Sequence, residues 1–232
     1  MNIIITGASK GLGRAFALQF ANEQNTLFLC ARNLTALEKT VNEIKKNSPS
    51  TKVHFRVADV SIKNEAIAFA KWCLEFGTPD ILINNAGAFQ PGSIGNEEDG
   101  VLEKMISINL YSAYHITRIV LPQMIANKSG HIFNICSIAS TDAYANGGSY
   151  SISKFALLGF SKNLREEVKP HGVKVTAIIP GAIYTDSWKG SGVDENRIMQ
   201  DADIAKMVHA ASKLSPQACV EEIVIRPQLG DL

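Results

Sequence analysis

The sequence predicts a doubly wound α/β fold in a single domain, and three observations carry that prediction. Seven short runs rich in β-branched and aromatic residues recur along the 232 residues, each bounded by turn formers. Amphipathic segments of helical period separate them. The runs are apolar nearly throughout instead of alternating, which implies strands buried on both faces, as in a parallel Rossmann-like sheet flanked by helices on each side.

In chain order the first strand is NIIIT (2–6), followed by an amphipathic helix near 12–23, and the second is TLFLC (26–30), followed by a helix near 33–46. KVHFRV (52–57) leads to a helix near 61–76, and DILIN (80–84) to a long helical stretch at 101–126. HIFNIC (131–136) precedes a helix at 150–169 that Pro170 and Gly172 stop. KVTAII (174–179), a helix at 201–213 and EEIVI (221–225) complete the alternation. No repeat, low-complexity tract or linker divides the chain, so residues 1–232 read as one domain. Between the sixth strand and the last helix, DSWKGSGVDENRIMQ (186–200) has no period and is expected to be a mobile lid. Little chain follows the seventh strand, so no long tail is expected to close the pocket.

Charge and cysteine usage narrow the function classes. Lys and Arg number 23 against 22 Asp and Glu, a net charge of +1, which gives no global attraction to nucleic acid or to an anionic membrane. No apolar run has the length of a membrane span, and the opening MNIIITG lacks the form of a signal peptide. Cys30, Cys73, Cys136 and Cys219 are scattered, without metal-ligand spacing, and fit small core residues of a reducing compartment. The expectation is a cytoplasmic protein without a metal.

In doubly wound folds ligands bind beyond the carboxyl ends of the strands, so the residues there carry the functional reading. After the first strand, TGASKGLGRA sets Gly7, Gly11 and Gly13 around Ser9, Lys10 and Leu12. Those glycines allow a tight turn, a close backbone approach and a helix start whose N–H groups favour phosphate. In YSISKFALLGF, Tyr150 and Lys154 stand four residues apart, on one helical face. Such a pair is either a ring and a snorkelling ammonium on a half-exposed face or an acid–base device. A free phenol titrates near about 10, and a neighbouring cation lowers an acid by roughly one to three pKa units, so Lys154 is expected to bring Tyr150 toward working pH.

These motifs, with NNAG (84–87), Asn109, Ser137 thirteen residues before Tyr150, and PGAIYT (180–185), resemble the short-chain dehydrogenase/reductase family in order and spacing over essentially the whole chain. The glycine spacing, Gly-x-x-x-Gly-x-Gly, differs from the commonest dinucleotide fingerprint, and one departure from the family pattern stands out: Cys136 precedes Ser137 where the family has two serines. The resemblance implies an oxidoreductase interconverting a carbonyl and a secondary alcohol by hydride transfer. Tyr150 would be its general acid, Ser137 would polarise the substrate oxygen, Lys154 would serve the tyrosine and the nicotinamide ribose, and Asn109 would hold a backbone carbonyl and a proton-relaying water. The glycine turn would hold the cofactor phosphates, Asp59 and Val60 the adenine, and Asn85, Ala86 and Gly87 would pass close to a ribose. Pro180 and Gly181 would bend the chain over the nicotinamide, with the Ile183 backbone and Thr185 hydroxyl on its carboxamide. Assembly as a homodimer or homotetramer through the helices at 101–126 and 150–169 is also implied, and Phe155, Leu158 and Phe160 fit a helix buried on more than one side.

The second strand ends Cys30-Ala31-Arg32-Asn33, without the acid that would bind a ribose 2′-hydroxyl. Arg32 and Lys10 suit a 2′-phosphate instead, so NADP(H) is expected over NAD(H). Within the enzyme reading the candidate substrates are a small 3-oxo or 3-hydroxy acid, a free ketone, a sugar or steroid, or a 3-oxoacyl thioester on a carrier protein. Lys189 and Arg197 are the lid cations available for a carboxylate or phosphate, and Trp188 and Tyr184 the aromatics. The alternative is a non-catalytic NADP(H)-sensing or scaffold protein, against which the intact Ser, Tyr, Lys and Asn set argues.

Overall fold

The computed structural model describes residues 1–22, 24–185 and 192–231. Strands β1 (Asn2–Thr6), β2 (Thr26–Ala31), β3 (Lys52–Val57), β4 (Ile81–Asn84), β5 (Gly130–Ile135) and β6 (Val173–Pro180) alternate with helices α1 (Gly11–Gln19), α2 (Leu34–Asn47), α3 (Lys63–Leu74), α4 (Val101–Ile106), α5 (Ser112–Ala126) and α6 (Gly148–Val168). A short parallel pair, β7 (Ile183–Tyr184) and β8 (Met199–Gln200), precedes α7 (Asp201–Ser212) and β9 (Glu222–Ile225). The main sheet has seven strands in the order β3-β2-β1-β4-β5-β6-β9, every pair parallel.

Alternate residues of each strand explain why helices cover both faces. Ile3, Ile5, Leu27 and Leu29 pack with Phe16, Leu37, Ile204 and Val208, beneath α1, α2 and α7. Ile4, Phe28, Cys30 and Leu82 point the other way, against Phe69, Ile116, Val120 and Met124 of α3 and α5. Fully burying one such side chain stabilises by roughly 1.5–3 kcal/mol, so a one-residue slip in any central strand is strongly disfavoured. β3 alternates Lys52, His54 and Arg56 with Val53, Phe55 and Val57 and is half-exposed, lying at the sheet edge and pairing only with β2.

The stretch expected as one helix over 101–126 is continuous but contains a π turn, Ser107–Tyr111, between α4 and α5. There Ser112 N–H donates to the Ser107 carbonyl five residues back. Helix α6 begins two residues earlier than the sequence indicated and ends at Val168; a 3₁₀ turn over Lys169–His171 and Gly172 at φ +74° then stop it. The strands wind outward one way from β1 to β3 and the other way from β4 to β9, with β1 and β4 as neighbours. The turns after these two strands therefore open side by side, the place where doubly wound sheets bind ligands. Among the described residues no helix is long and apolar enough to cross a membrane.

Candidate active site

The glycine turn after β1 is built for close approach. Gly7 and Gly11 have φ of +67° and +49°, and a Cβ on Gly13 would lie 2.1 Å from the Gly7 carbonyl oxygen, which no side chain tolerates. Thr6 braces this turn against the one after β4: its buried hydroxyl oxygen accepts from Asn85 N–H at 3.0 Å and Ala86 N–H at 2.9 Å, while the Asn85 amide donates to the Thr6 carbonyl at 2.9 Å. Helix α1 starts here with no side-chain cap and no acid in its first turn, so its first N–H groups face the cleft. Leu12 packs against the core beneath them.

A cleft of about 530 Å³ runs along this turn, with Ser9, Lys10, Arg14 and Lys39 on one side and Tyr184, Thr185 and Asp201 on the other. Arg14 is held by Glu43, its Nε donating at 2.8 Å. Lys10 and Lys39 have no acidic partner among the described residues. Lys39 was not singled out in the sequence, because its approach to Ser9 depends on how α2 packs; Thr40 beside it donates to the Ser9 carbonyl at 3.4 Å. Glycines at positive φ and uncapped helical N–H groups fit a dinucleotide diphosphate, with the two lysines beside it available to a further phosphate.

Arg32 and Asp59 are brought together. The guanidinium is 70% exposed and stands 3.9 Å from Asp59 Oδ2, so the cation expected for a 2′-phosphate already faces a carboxylate. The other oxygen, Asp59 Oδ1, accepts from Ser61 N–H at 3.0 Å and from its hydroxyl at 2.6 Å, which is the turn-capping use of an aspartate. Val60 gives its side chain to the core, so only its backbone is available to line the cleft.

Tyr150 and Lys154 do share a face of α6, yet the expected pull of the ammonium on the phenol is corrected by the structure. Lys154 Nζ donates to the Ile135 carbonyl at 2.8 Å and lies 5.9 Å from the Tyr150 ring centre. Burial pushes Tyr150 up to about 12, against a hydrogen bond from Ser137 that lowers it. Burial likewise brings Lys154 down to about 8, with Cys136 opposing. Desolvation outweighs the pull of the ammonium because Lys154 is buried, its charge engaged by the Ile135 carbonyl, and stands 5.9 Å from the half-buried Tyr150 ring. Cys136, the departure from the two-serine pattern, is thus part of the electrostatics around Lys154; its own thiol is pushed up to about 11 by burial.

Ser137 serves two partners. Its hydroxyl accepts from Ala139 N–H at 3.2 Å, capping a 3₁₀ turn over Ile138–Ser140, and it is placed to favour the ionised form of the Tyr150 phenol. The neighbouring serines are committed elsewhere: Ser140 accepts from Ser137 N–H at 3.1 Å, and Ser151 donates to the Ala139 carbonyl at 2.9 Å. Of the three, Ser137 is the one facing the phenol.

Asn109 sits in the π turn, buried, and the extra residue aims its amide at the loop after β4. Ala88 N–H donates to its Oδ1 at 2.8 Å, and its Nδ2 donates to the Ala88 carbonyl at 3.0 Å and to Ser153 Oγ at 2.8 Å. A Cβ on Gly87 would stand 3.1 Å from Asn109 Oδ1 and 3.6 Å from Lys154 Nζ, so Asn109, Gly87 and Lys154 converge.

The chain after β6 departs further from expectation. A Cβ on Gly181 would lie 2.8 Å from Asp231 Oδ1, and Thr185 reaches over Gly11, its Cγ2 3.3 Å from the position of a Cβ there. Ile183 is buried and belongs to β7, whose pairing with β8 tethers the second half of the segment expected to be a free lid. Residues 186–191 of that segment, with Trp188 and Lys189, lie outside the described residues. Arg197 is not free for a substrate anion: it donates to the carbonyls of Gly230 at 3.0 Å and of Leu229 and Asp231 at 3.3 Å. Arg226 pairs with Asp142 and Asp231. Residues 226–231 therefore border the site after all.

A family model described as short chain dehydrogenase matches residues 1–196. The chain belongs to the short-chain dehydrogenase family. A sepiapterin reductase of Chlorobaculum tepidum is 32% identical to this short-chain dehydrogenase, covering 99% of its chain and 97% of the relative. Among solved structures, an alcohol dehydrogenase of Thermococcus sibiricus complexed with 5-hydroxy-NADP has TM-score 0.88 at 27% identity, covering 98% of this chain and 96% of the other. A 7α-hydroxysteroid dehydrogenase complexed with NADH and 7-oxo glycochenodeoxycholic acid has TM-score 0.84 at 28% identity, covering 96% and 92%. The short-chain dehydrogenase is thus an oxidoreductase at family level, with neighbours that hold nicotinamide cofactors.

Proposed function

We propose that this short-chain dehydrogenase interconverts a small carbonyl compound and its secondary alcohol with NADP(H), using Tyr150 as general acid and base. The observation that carries the reading is the convergence of Asn109 and the buried Lys154 on Gly87, with Lys154 Nζ 5.9 Å from the Tyr150 ring centre and Ser137 acting on the phenol. The nicotinamide, when bound, supplies or accepts the hydride. Ser137 Oγ and the Tyr150 hydroxyl together offer two donors to one carbonyl oxygen, which orients and polarises it. A phenol held up to about 12 keeps its proton at neutral pH and releases it only to a stronger base, which the alkoxide formed in reduction is. Ser137 supports the tyrosinate left behind, and Lys154 with Asn109 stands where a proton can be returned to it. The glycine turn and α1 would hold the diphosphate, and Lys10, Arg32 and Lys39 are the cations for a 2′-phosphate. The solved neighbours include both a 5-hydroxy-NADP complex and an NADH complex, and the preference for NADP(H) rests on these cations.

The test is NADPH oxidation with a panel of ketones, 3-oxo acids and 3-oxoacyl thioesters, to which sepiapterin is added for the relative named after it. Tyr150→Phe should lower turnover by the roughly 10²–10⁴-fold of a lost general acid while NADPH still binds. Near-normal turnover in that variant would move the chemistry elsewhere, and cofactor binding without turnover of any substrate would favour a sensing role.

A further inference from the structure

We infer that Glu97 is a positioning residue for this site: from the loop after β4 its carboxylate caps the N-terminus of α6 and fixes where Tyr150 stands. The inference rests on the reading of Tyr150 as general acid.

Helix α6 lacks a cap of its own. Its N-cap residue is Gly147, which has no side chain to offer, and its first turn contains no acid. The missing acceptor arrives from 52 residues earlier: Ser149 N–H donates to Glu97 Oε1 at 2.9 Å, and the Ser149 hydroxyl donates to Oε2. A carboxylate at a helix N-terminus is favoured both by the unsatisfied N–H groups and by the helix dipole. Tyr150 is the next residue along.

The surrounding backbone is shaped around that carboxylate. Gly148 has φ +38°, and a Cβ there would lie 2.1 Å from Glu97 Oε1 and 2.5 Å from the Gly92 carbonyl oxygen. A Cβ on Gly92 would lie 2.6 Å from Glu97 Cγ, and Gly92 N–H donates to the Asn146 carbonyl at 3.1 Å. Neither position has room for a side chain while Glu97 holds Ser149. The same loop begins at Ala88, gripped by Asn109, and carries Phe89, whose ring meets the Tyr150 ring edge-on at 4.8 Å and 87°. One loop thus contacts the tyrosine ring directly and secures the first turn that carries it. Losing the cap lets that turn fray and the phenol wander, and about 1 Å of misplacement can lower a rate roughly 10²-fold.

The experiment uses the full chain and compares Glu97→Ala, Glu97→Gln, Gly148→Ala and Tyr150→Phe. Glu97→Ala should lower kcat about 10- to 30-fold while the KM and Kd for NADPH stay within about twofold, because the glycine turn and Gly87 are untouched. Glu97→Gln, whose carboxamide oxygen still accepts from Ser149 N–H, should recover kcat to within about threefold of wild type. Gly148→Ala should reproduce the kinetic split of Glu97→Ala, since its methyl displaces the carboxylate. Hydrogen exchange should show faster exchange of the first turn of α6 in Glu97→Ala and unchanged protection in β1. Should Glu97→Ala not fold, Glu97→Asp, one methylene shorter, is read instead, with a kcat loss of more than about threefold expected. Unchanged kcat in Glu97→Ala or its Asp substitute overturns the inference. So does a loss shared by kcat, NADPH affinity and thermal midpoint that glutamine does not rescue, because that pattern is merely structural. Tyr150→Phe separates the two failures: if it turns over normally the general-acid reading falls, and if it is inactive beside a normal Glu97→Ala only the role of Glu97 falls.

Discussion

Tyr150 and Lys154 lie four residues apart on α6, and burial moves them in opposite directions, which gives each a separate signature in stability against pH. Below about 8 Lys154 is charged in both folded and unfolded chains, and the fold carries the penalty of a buried cation. As pH rises from about 8 toward the unfolded value of 10.5, the folded state releases its proton first and that penalty is relieved. Denaturant unfolding of wild type and Lys154→Met should therefore show wild type gaining about 2 kcal/mol on the variant between pH 7 and 9.5. A difference that does not change with pH would mean that the ammonium is not depressed. Tyr150 adds nothing in that window, being neutral in both states; above about 10 the unfolded phenol ionises while the folded one does not until about 12, so its contribution is lost there. Arg32 is the second residue that invites a test. Its guanidinium is largely solvated and shared with Asp59, which places it at the weak end of charge-assisted contacts. Arg32→Ala should reduce kcat/KM for NADPH about 10-fold, corresponding to about 1.4 kcal/mol, and leave NADH unchanged. Equal loss with both cofactors would reduce Arg32 to a surface charge.

At the scale of elements, β5 and β6 are joined by a buried side-chain link as well as by their ladder. His131 Nε2 lies 2.7 Å from Thr176 Oγ1, and the imidazole stacks on Phe133 at 3.9 Å. Burial, helped by Lys174, brings His131 down to about 3, so the folded protein keeps it neutral where an unfolded histidine would take a proton. Stability is then lost as pH falls below 6.5 toward 3. In unfolding titrations His131→Gln should remove roughly 3 kcal/mol of the decline between pH 6.5 and 4; an unaltered acid limb would assign that decline to carboxylates. The central strands were legible in the sequence because their burial is nearly complete, and the apolar runs mark it directly. β3 was legible as a strand but not as an edge, since edge position is set by topology. The π turn escaped notice because one inserted residue barely disturbs a helical period, although Asn109 within an apolar helix was a sign that something unusual stood there. The site residues on strand ends and on α6 were readable from spacing. Glu97, Lys39 and the grip of Arg197 on the C-terminal carbonyls were not, because each depends on contacts between distant segments, for which a single sequence has no local signal.

At the scale of the whole molecule, the outer side of α5 and α6 exposes large aromatic side chains. Tyr111 is 48% exposed at the end of the π turn and Phe155 44% exposed on α6, while Leu158 is buried in the core and so unavailable for contact. Tyr114 bridges the two helices, its ring 5.7 Å from that of Phe160, so α5 and α6 present a single aromatic surface. This is the face through which the sequence led us to expect a homodimer or homotetramer, and it remains a proposal. A second copy is its fitting occupant for two reasons. The aromatic rings carry large apolar area with polar tips, as the cores of subunit interfaces do. A formal net charge of +1 also leaves almost no long-range repulsion to hold two copies apart. Phe155→Glu would place a charge in the middle of such an interface without touching Tyr150, Lys154 or the glycine turn. Light scattering at micromolar protein should give an oligomer for the wild type and a lower mass for Phe155→Glu, with the thermal midpoint of the variant falling because assembly no longer adds to its stability. A wild type that scatters as a monomer at its working concentration, or a variant that keeps the full assembled mass, would rule out α5 and α6 as the joining face.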